Sequence, residues 1–211
     1  ILKSAVVFLV ALLRGYRKIS IECSKFKIFS DHVFIDFAKD HITDRYRKIL
    51  EAIGQSADIN LQYEISISSE IKQQAQSYLK PFKDKNFKVV VLNSFAGARL
   101  RNFTQETTYQ IVESLIALKG VVVISTANKG DHLILEKWKK TKDIPLWIHN
   151  PEFSSIEQNM ALVECSDLVI TPDTAWVHIA SALKKKLIAV YRDDDINNPE
   201  KNLKIWAPYE T

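Results

Sequence analysis

From residue 87 to residue 191 the chain alternates short apolar runs with longer amphipathic ones, and few architectures accept that rhythm. The apolar runs fall at 88–92, 121–125, 145–148, 168–170 and 187–191, and the helical patterns between them at 105–118, 129–140, 156–165 and 174–183. Short, continuously apolar strands joined by helices imply a parallel sheet covered on both faces, with right-handed crossovers. The expected fold class is therefore α/β, with a Rossmann-like parallel sheet in the C-terminal part. A further helix is expected to start at Ser69 and to stop before Pro81, because proline removes a helix donor.

The stretch 161–191 concentrates the functional signal. Leu168-Val169-Ile170 makes a buried strand, Pro172 stops it, and Asp173-Thr174 opens the next helix by accepting its free amides. Ala175, Ala180, Ser181 and Ala182 are small enough for that helix to lie close to a sheet. A strand end feeding a helix N-terminus favours an anion, since unpaired amides and the helix dipole point at it. Thr174, His178 and Ser181 stand at i, i+4 and i+7 and so share one helix face. The plainer alternative is a capped helix with a satisfied histidine, which any α/β domain can contain.

In an open parallel sheet the ligand lies beyond the carboxyl ends of the strands, so the loops there hold the other candidates. After the first strand come Asn93, Ser94, Gly97, Arg99 and Arg101; guanidinium forks suit diphosphate oxygens. Solvent-exposed loop arginines are the competing reading. After the third strand, Ser154 and Ser155 precede a helix and can cap it or border a ligand. Asp193-Asp194-Asp195 follows the last strand; a carboxylate cluster can hold a hard divalent cation, but a solvated acidic turn is the default. No G-x-G-x-x-G occurs, so the dinucleotide and P-loop fingerprints are missing. No G-x-S-x-G or H-E-x-x-H occurs either, and the five histidines lack metal-ligand spacing. No metal site is expected.

The first third reads less clearly. A buried helix is expected at 1–14, a weak strand at 18–23, and an amphipathic helix from Asp44 to Ile53 with Thr43 as its cap and Gly54 after it. Residues 55–69 are polar and suit an interdomain connection. The division expected is therefore 1–68 as part of an N-terminal domain with its linker, and 69–211 as the C-terminal domain. The apolar start is too short to span a bilayer. Two distant cysteines, Cys23 and Cys165, and the absence of a convincing leader suggest a reducing, cytoplasmic setting. A net charge of +4 without a long basic block argues against nucleic acid, and Lys184-Lys185-Lys186 reads as a solvated helix end. The chain opens on Ile1 and closes soon after Trp206-Ala207-Pro208, so a fragment of a longer polypeptide is expected.

The string Asp173-Thr174-Ala175-x-x-His178-x-Ala180-x-Ala182-Leu183 resembles the D-[TS]-G-x-x-H-x-A-x-A-L signature of the lipopolysaccharide heptosyltransferases of glycosyltransferase family 9, with Ala175 in place of glycine. Arg101-Asn102-Phe103-Thr104 resembles that family's K-x-W-P-like loop, Ser155-Ile156-Glu157 its S-L-E turn, and His41 to Tyr46 its H-x-[VI]-x-R-Y stretch. The resemblance implies a two-domain GT-B transferase that moves a heptose from ADP-heptose to the lipopolysaccharide inner core. Transfer would invert the anomeric carbon and need no metal and no cofactor. It further implies that Arg101 steadies the departing diphosphate. The donor would be held by Asn93, Ser94, Arg99, Arg101, Ser154, Ser155, Asp173, Thr174, Ala175 and His178. The implied partners are the nucleotide sugar and a lipid A–core acceptor at the membrane surface, with the protein cytoplasmic and peripheral on the inner membrane. The family's base is an aspartate early in its first domain, in a stretch with no counterpart in this sequence, so no catalytic base is assigned. Two alternatives stay open: a GT-B transferase for another nucleotide sugar such as a UDP-hexose, and a non-catalytic α/β binding module.

Overall fold

The computed structural model describes residues 19–21, 31–36, 39–55, 63–192 and 201–208. The expected helix at 1–14 and Asp193-Asp194-Asp195 lie outside them, as does Cys23. The chain forms two compact units, one of Ile1–Leu61 with Asp195–Ala207 and one of Gln62–Asp194 with Pro208–Thr211.

In the first unit, strands β1 (Ile19–Ile21) and β2 (Asp31–Val33) pair in parallel. Helix α1 (Ile42–Ala52) begins at His41, whose side chain accepts from the Thr43 amide. His41, rather than Thr43, is therefore the cap. The Thr43 side chain is buried within the first turn and bonds the His41 ring at 2.7 Å. The other ring nitrogen of His41 donates to the Ala207 carbonyl at 3.0 Å, next to helix α7 (Lys201–Trp206). Val33, Ile35 and Ile205 are buried in this unit.

The second unit carries five parallel strands, β3 (Lys88–Asn93), β4 (Val121–Thr126), β5 (Trp147–His149), β6 (Leu168–Pro172) and β7 (Leu187–Val190), in the order β5-β4-β3-β6-β7. The pairings β3–β4, β3–β6, β4–β5 and β6–β7 are all parallel. Helix α2 (Ser69–Lys83) precedes the sheet; α3 (Gln105–Ala117), α4 (His132–Thr141), α5 (Ile156–Glu164) and α6 (Ala175–Ala182) are its crossovers. Because side chains alternate along a strand, β3 feeds two cores. Val89 and Val91 pack with Ala75, Leu79, Ala161, Val163 and Ala180, whereas Val90 and Leu92 pack with Tyr109, Val112 and Leu135. Buried on both faces, the middles of β3 and β4 must be apolar on both, which is why residues 89–92 and 121–124 read as unbroken apolar runs. Strand β7 is covered on one face; Ile188 and Val190 on its other face are 49% and 43% exposed.

Three boundaries differ from the sequence expectation. Pro81 lies inside α2, which runs on to Lys83; in a last turn the ring removes one backbone bond, and the helix ends soon after anyway. Helix α4 starts at His132, because Asn128 Oδ1 accepts from the amides of Gly130 and Asp131 and holds that segment in a turn. Strand β5 starts at Trp147, since Leu146 stands in the left-handed region at φ 62° and cannot extend a strand. Leu146 is one of four such non-glycine residues among the described residues. Asn86, Lys119 and Lys184, with φ of 59°, 55° and 52°, occupy the equivalent links into β3, β4 and β7. In the link after α6 the Lys184 amide donates to Ser181 O and the Lys185 amide to Ala180 O, a Schellman closure at which glycine is usual. No helix among the described residues is long and apolar enough to cross a membrane.

Candidate functional site

The strand order reverses between β3 and β6, the neighbours from which the chain winds outward in both directions. Their carboxyl ends splay the following loops apart and leave a crevice there. Asn93 closes β3 and braces this point. Its amide nitrogen donates to Phe95 O at 2.8 Å and to Thr171 Oγ1 of β6 at 3.0 Å, while its oxygen accepts from the Phe95 amide. The loop beyond it folds back on itself, the Phe103 amide donating to Ser94 O and the Ala96 amide to Asn102 Oδ1. Its 3₁₀ turn, Arg99–Arg101, presents the two arginines.

Arg101 reaches across to the other side of the reversal. Its Nη1 donates to Asp173 Oδ2 at 3.0 Å and to the Asp173 carbonyl at 3.1 Å. The aspartate side chain is 9% exposed and the arginine side chain 42%. A nearly buried carboxylate without a cation is costly, so the pair fixes the position of a half-exposed guanidinium. The other donors of the fork serve no described acceptor. Burial, together with the Asp173 charge, pushes the nearby Tyr191 hydroxyl well above its ordinary titration range. Next to Asp173, Thr174 caps α6 by accepting from the Trp176 amide at 3.0 Å. Helix geometry leaves the Ala175 amide at the first position without an intrahelical acceptor. A cation fork and a helix N-terminus thus stand beside one another.

The helix N-terminus borders a cavity of about 240 Å³ lined by Asn93, Phe95, Ala96, Gly97, Asn128, Ser154, Ile156, Asn159, Thr174, Ala175, Trp176 and Ile179, and the ion pair connects to that lining through the Asp173–Thr174 peptide link. Gly97 has open space where a Cβ would stand, so its hydrogen keeps that wall clear. Of the residues singled out from sequence, Asn93, Ser154, Thr174 and Ala175 line the cavity, and Arg101 and Asp173 form the ion pair. The others stand apart. The Ser94 hydroxyl is buried and accepts from Thr108 Oγ1, and Arg99 is exposed beside Leu100. Ser155 caps α5 in a reciprocal capping box with Gln158. His178 packs its ring 5.2 Å from that of Tyr63, and Ser181 bonds Val177 O inside the domain, so the shared helix face is not a polar edge of the cavity. Asn159 and Trp176 escaped the sequence reading, because an asparagine and a tryptophan within helical patterns carry no local signal. No cluster of three metal-ligating side chains occurs among the described residues.

A second buried polar group lies at the ends of β4 and β5. His149 Nδ1 donates to the Ser125 carbonyl at 3.1 Å, which leaves Nε2 to accept from His132 Nδ1 at 2.7 Å. Burial pushes the His149 imidazole below its ordinary value, and the charges of His132 and Lys139 act in the same direction.

A parallel sheet that reverses its strand order between β3 and β6 defines a Rossmann-like α/β domain. The chain belongs to glycosyltransferase family 9, described as glycosyltransferase family 9 (heptosyltransferase), whose model matches residues 1–202. A relative from Escherichia coli (strain K12), provisionally named lipopolysaccharide heptosyltransferase 4, is 23% identical over 178 residues, covering 84% of this chain and 46% of the relative. Among solved structures, a family 9 glycosyl transferase from Veillonella parvula DSM 2008 aligns with a TM-score of 0.70 at 18% identity, over 92% of this chain and 54% of that one. The E. coli ADP-heptose lps heptosyltransferase II aligns with a TM-score of 0.63 at 19% identity, over 93% of this chain and 62% of that one. The E. coli heptosyltransferase WaaC, solved with ADP, aligns with a TM-score of 0.55 at 18% identity, over 81% and 51%. The fold is thus α/β and GT-B-like, and the chain spans about half the length of the curated relative it matches.

Proposed function

We propose that the crevice between the carboxyl ends of β3 and β6 binds the donor of a heptosyl transfer, an ADP-heptose-type nucleotide sugar. The observation that carries the reading is the Arg101–Asp173 pair next to the N-terminus of α6, whose Thr174 and Ala175 line the cavity. Arg101 and the Ala175 amide would meet the diphosphate, with Thr174 shaping the turn. Ser154 and Ser155 would border the base. Asp173 would hold the arginine and meet a sugar hydroxyl, and Asn93 would fix the floor; Ser94, Arg99 and His178 would act around this shell. Fixed positive charge at a departing diphosphate is the principal catalytic aid such a reaction needs. With the Arg101 cation and the partial positive charge of the helix N-terminus facing the diphosphate, the transfer proceeds without a metal, and attack by the acceptor from the face opposite the leaving group inverts the anomeric centre. The acceptor is a lipid A–core surface on the cytoplasmic side of the inner membrane, and no described residue is assigned as the base.

The test is calorimetric titration of the chain with ADP and UDP, with and without EDTA. ADP should bind at micromolar to millimolar strength, about −8 to −4 kcal/mol, unaffected by EDTA, with UDP weaker. Arg101→Ala and Asp173→Ala should each weaken ADP by about tenfold or more, the loss of a charge-assisted contact. UDP preference would instead favour a UDP-hexose transferase. A folded protein that binds neither nucleotide would leave a binding module of another kind.

A further inference from the structure

Asn159 is the least expected residue in the cavity wall. It lies one turn into α5, is 3% exposed, and lines the cavity with Ile156, Ala175, Trp176 and Ile179. Its Nδ2 donates to the Ser155 carbonyl at 3.0 Å. A backbone carbonyl can only accept, so the amide cannot be turned the other way, and the identity of the remaining atom is fixed as oxygen. That Oδ1 is buried and has no hydrogen-bond partner among the described residues. An asparagine oxygen left unbonded and buried, in a wall it shares with Ile156, Ala175, Trp176 and Ile179, is unfavourable unless a ligand supplies a donor. Apolar walls combined with a few fixed polar groups suit a flat ring that must present one particular edge.

We propose that Asn159 selects the base of the bound nucleotide by accepting a hydrogen bond from an exocyclic ring amine, so that an amino-purine is taken and its oxo counterpart is rejected. The inference rests on the donor-site reading above and adds the base-reading residue to it. Adenine offers the 6-amino donor at the position where hypoxanthine carries a carbonyl. A carbonyl there would set two acceptors against each other and leave Oδ1 unpaired. Rejection of this kind, by an unmet buried polar group, discriminates more sharply than a change of shape.

The experiment compares ADP with inosine diphosphate, by calorimetry, on the wild-type chain and on Asn159→Leu, which keeps the branched outline with somewhat more bulk and removes both polar atoms. The wild type should bind ADP about tenfold or more tightly than inosine diphosphate, the effect of one buried hydrogen bond. In Asn159→Leu the two affinities should come within about twofold of each other, mainly through loss of ADP binding. Circular dichroism confirms that the variant is folded, and if it is not, the wild-type ratio decides alone. Equal affinities in the wild type, or a preference that survives in Asn159→Leu, would overturn the assignment while leaving the nucleotide site in place. Absence of binding by either nucleotide would remove the donor-site reading and this inference with it.

Discussion

Single residues set the electrostatics of this domain by pairing across long stretches of chain. Arg101 and Asp173 are 72 positions apart and meet because β3 and β6 are neighbours. Neither would be well placed alone, since the aspartate is too buried to stand uncompensated and the arginine too exposed to hold one rotamer without an anchor. His149 is the complementary case, an imidazole kept neutral by its surroundings. Its folded-state value is depressed below the ordinary imidazole value, so near and below that value the unfolded chain binds the extra proton first. Stability should therefore be full at and above neutral pH and fall as the pH drops through the depressed value. Protonated Nε2 can no longer accept from His132, which adds a structural reason for the same sign. Thermal unfolding of the wild type and of His149→Gln at about pH 7.5 and pH 5.5, on either side of the ordinary value, should show a smaller acid loss in the variant. An identical loss would place the acid sensitivity elsewhere.

At the scale of elements, the loop-to-helix junctions at the strands' carboxyl ends do most of the positioning. Ser155 and Gln158 bond each other's backbone amides at the start of α5, which fixes where Asn159 falls one turn later. Ser155→Ala should lower the unfolding free energy by about 1 kcal/mol, read from denaturant curves, and should loosen ADP binding less than Arg101→Ala does. The sequence made these elements readable where one local rule governed them. The unbroken Val-Val-Val of β3 and β4 announces strands buried on two faces, and Asp173-Thr174 announces a helix start. It failed where two rules competed or a distant partner decided. Pro81 reads as a stop, yet it stands where a helix is already ending. His41 is not among the usual capping residues, and its second ring nitrogen finds the Ala207 carbonyl 166 positions away. For Arg101 the sequence left a diphosphate ligand and an exposed loop residue both open, and its tether to Asp173, 72 positions away, had no local signal.

For the molecule as a whole, family 9 membership and the GT-B-like fold account for why the candidate groups collect at one rim of the sheet of the second unit. That rim holds the crevice, the ion pair and Asn159. The opposite rim holds the four left-handed non-glycine residues, Asn86, Lys119, Leu146 and Lys184, where the chain re-enters β3, β4, β5 and β7. A side chain in that backbone region costs about 1 kcal/mol or more relative to glycine. Lys184→Gly, at the Schellman closure of α6, should therefore raise the unfolding free energy by about 1 kcal/mol and leave ADP affinity unchanged; a destabilised variant would mean that the lysine side chain contributes packing that the backbone relief does not offset. Since the two rims are separated by the length of the strands, such a domain has a reserve of improvement remote from its ligand. Mutations that alter what the crevice accepts, and weaken the fold in doing so, can be compensated at sites that never touch the ligand, and this leaves the specificity of the crevice free to drift.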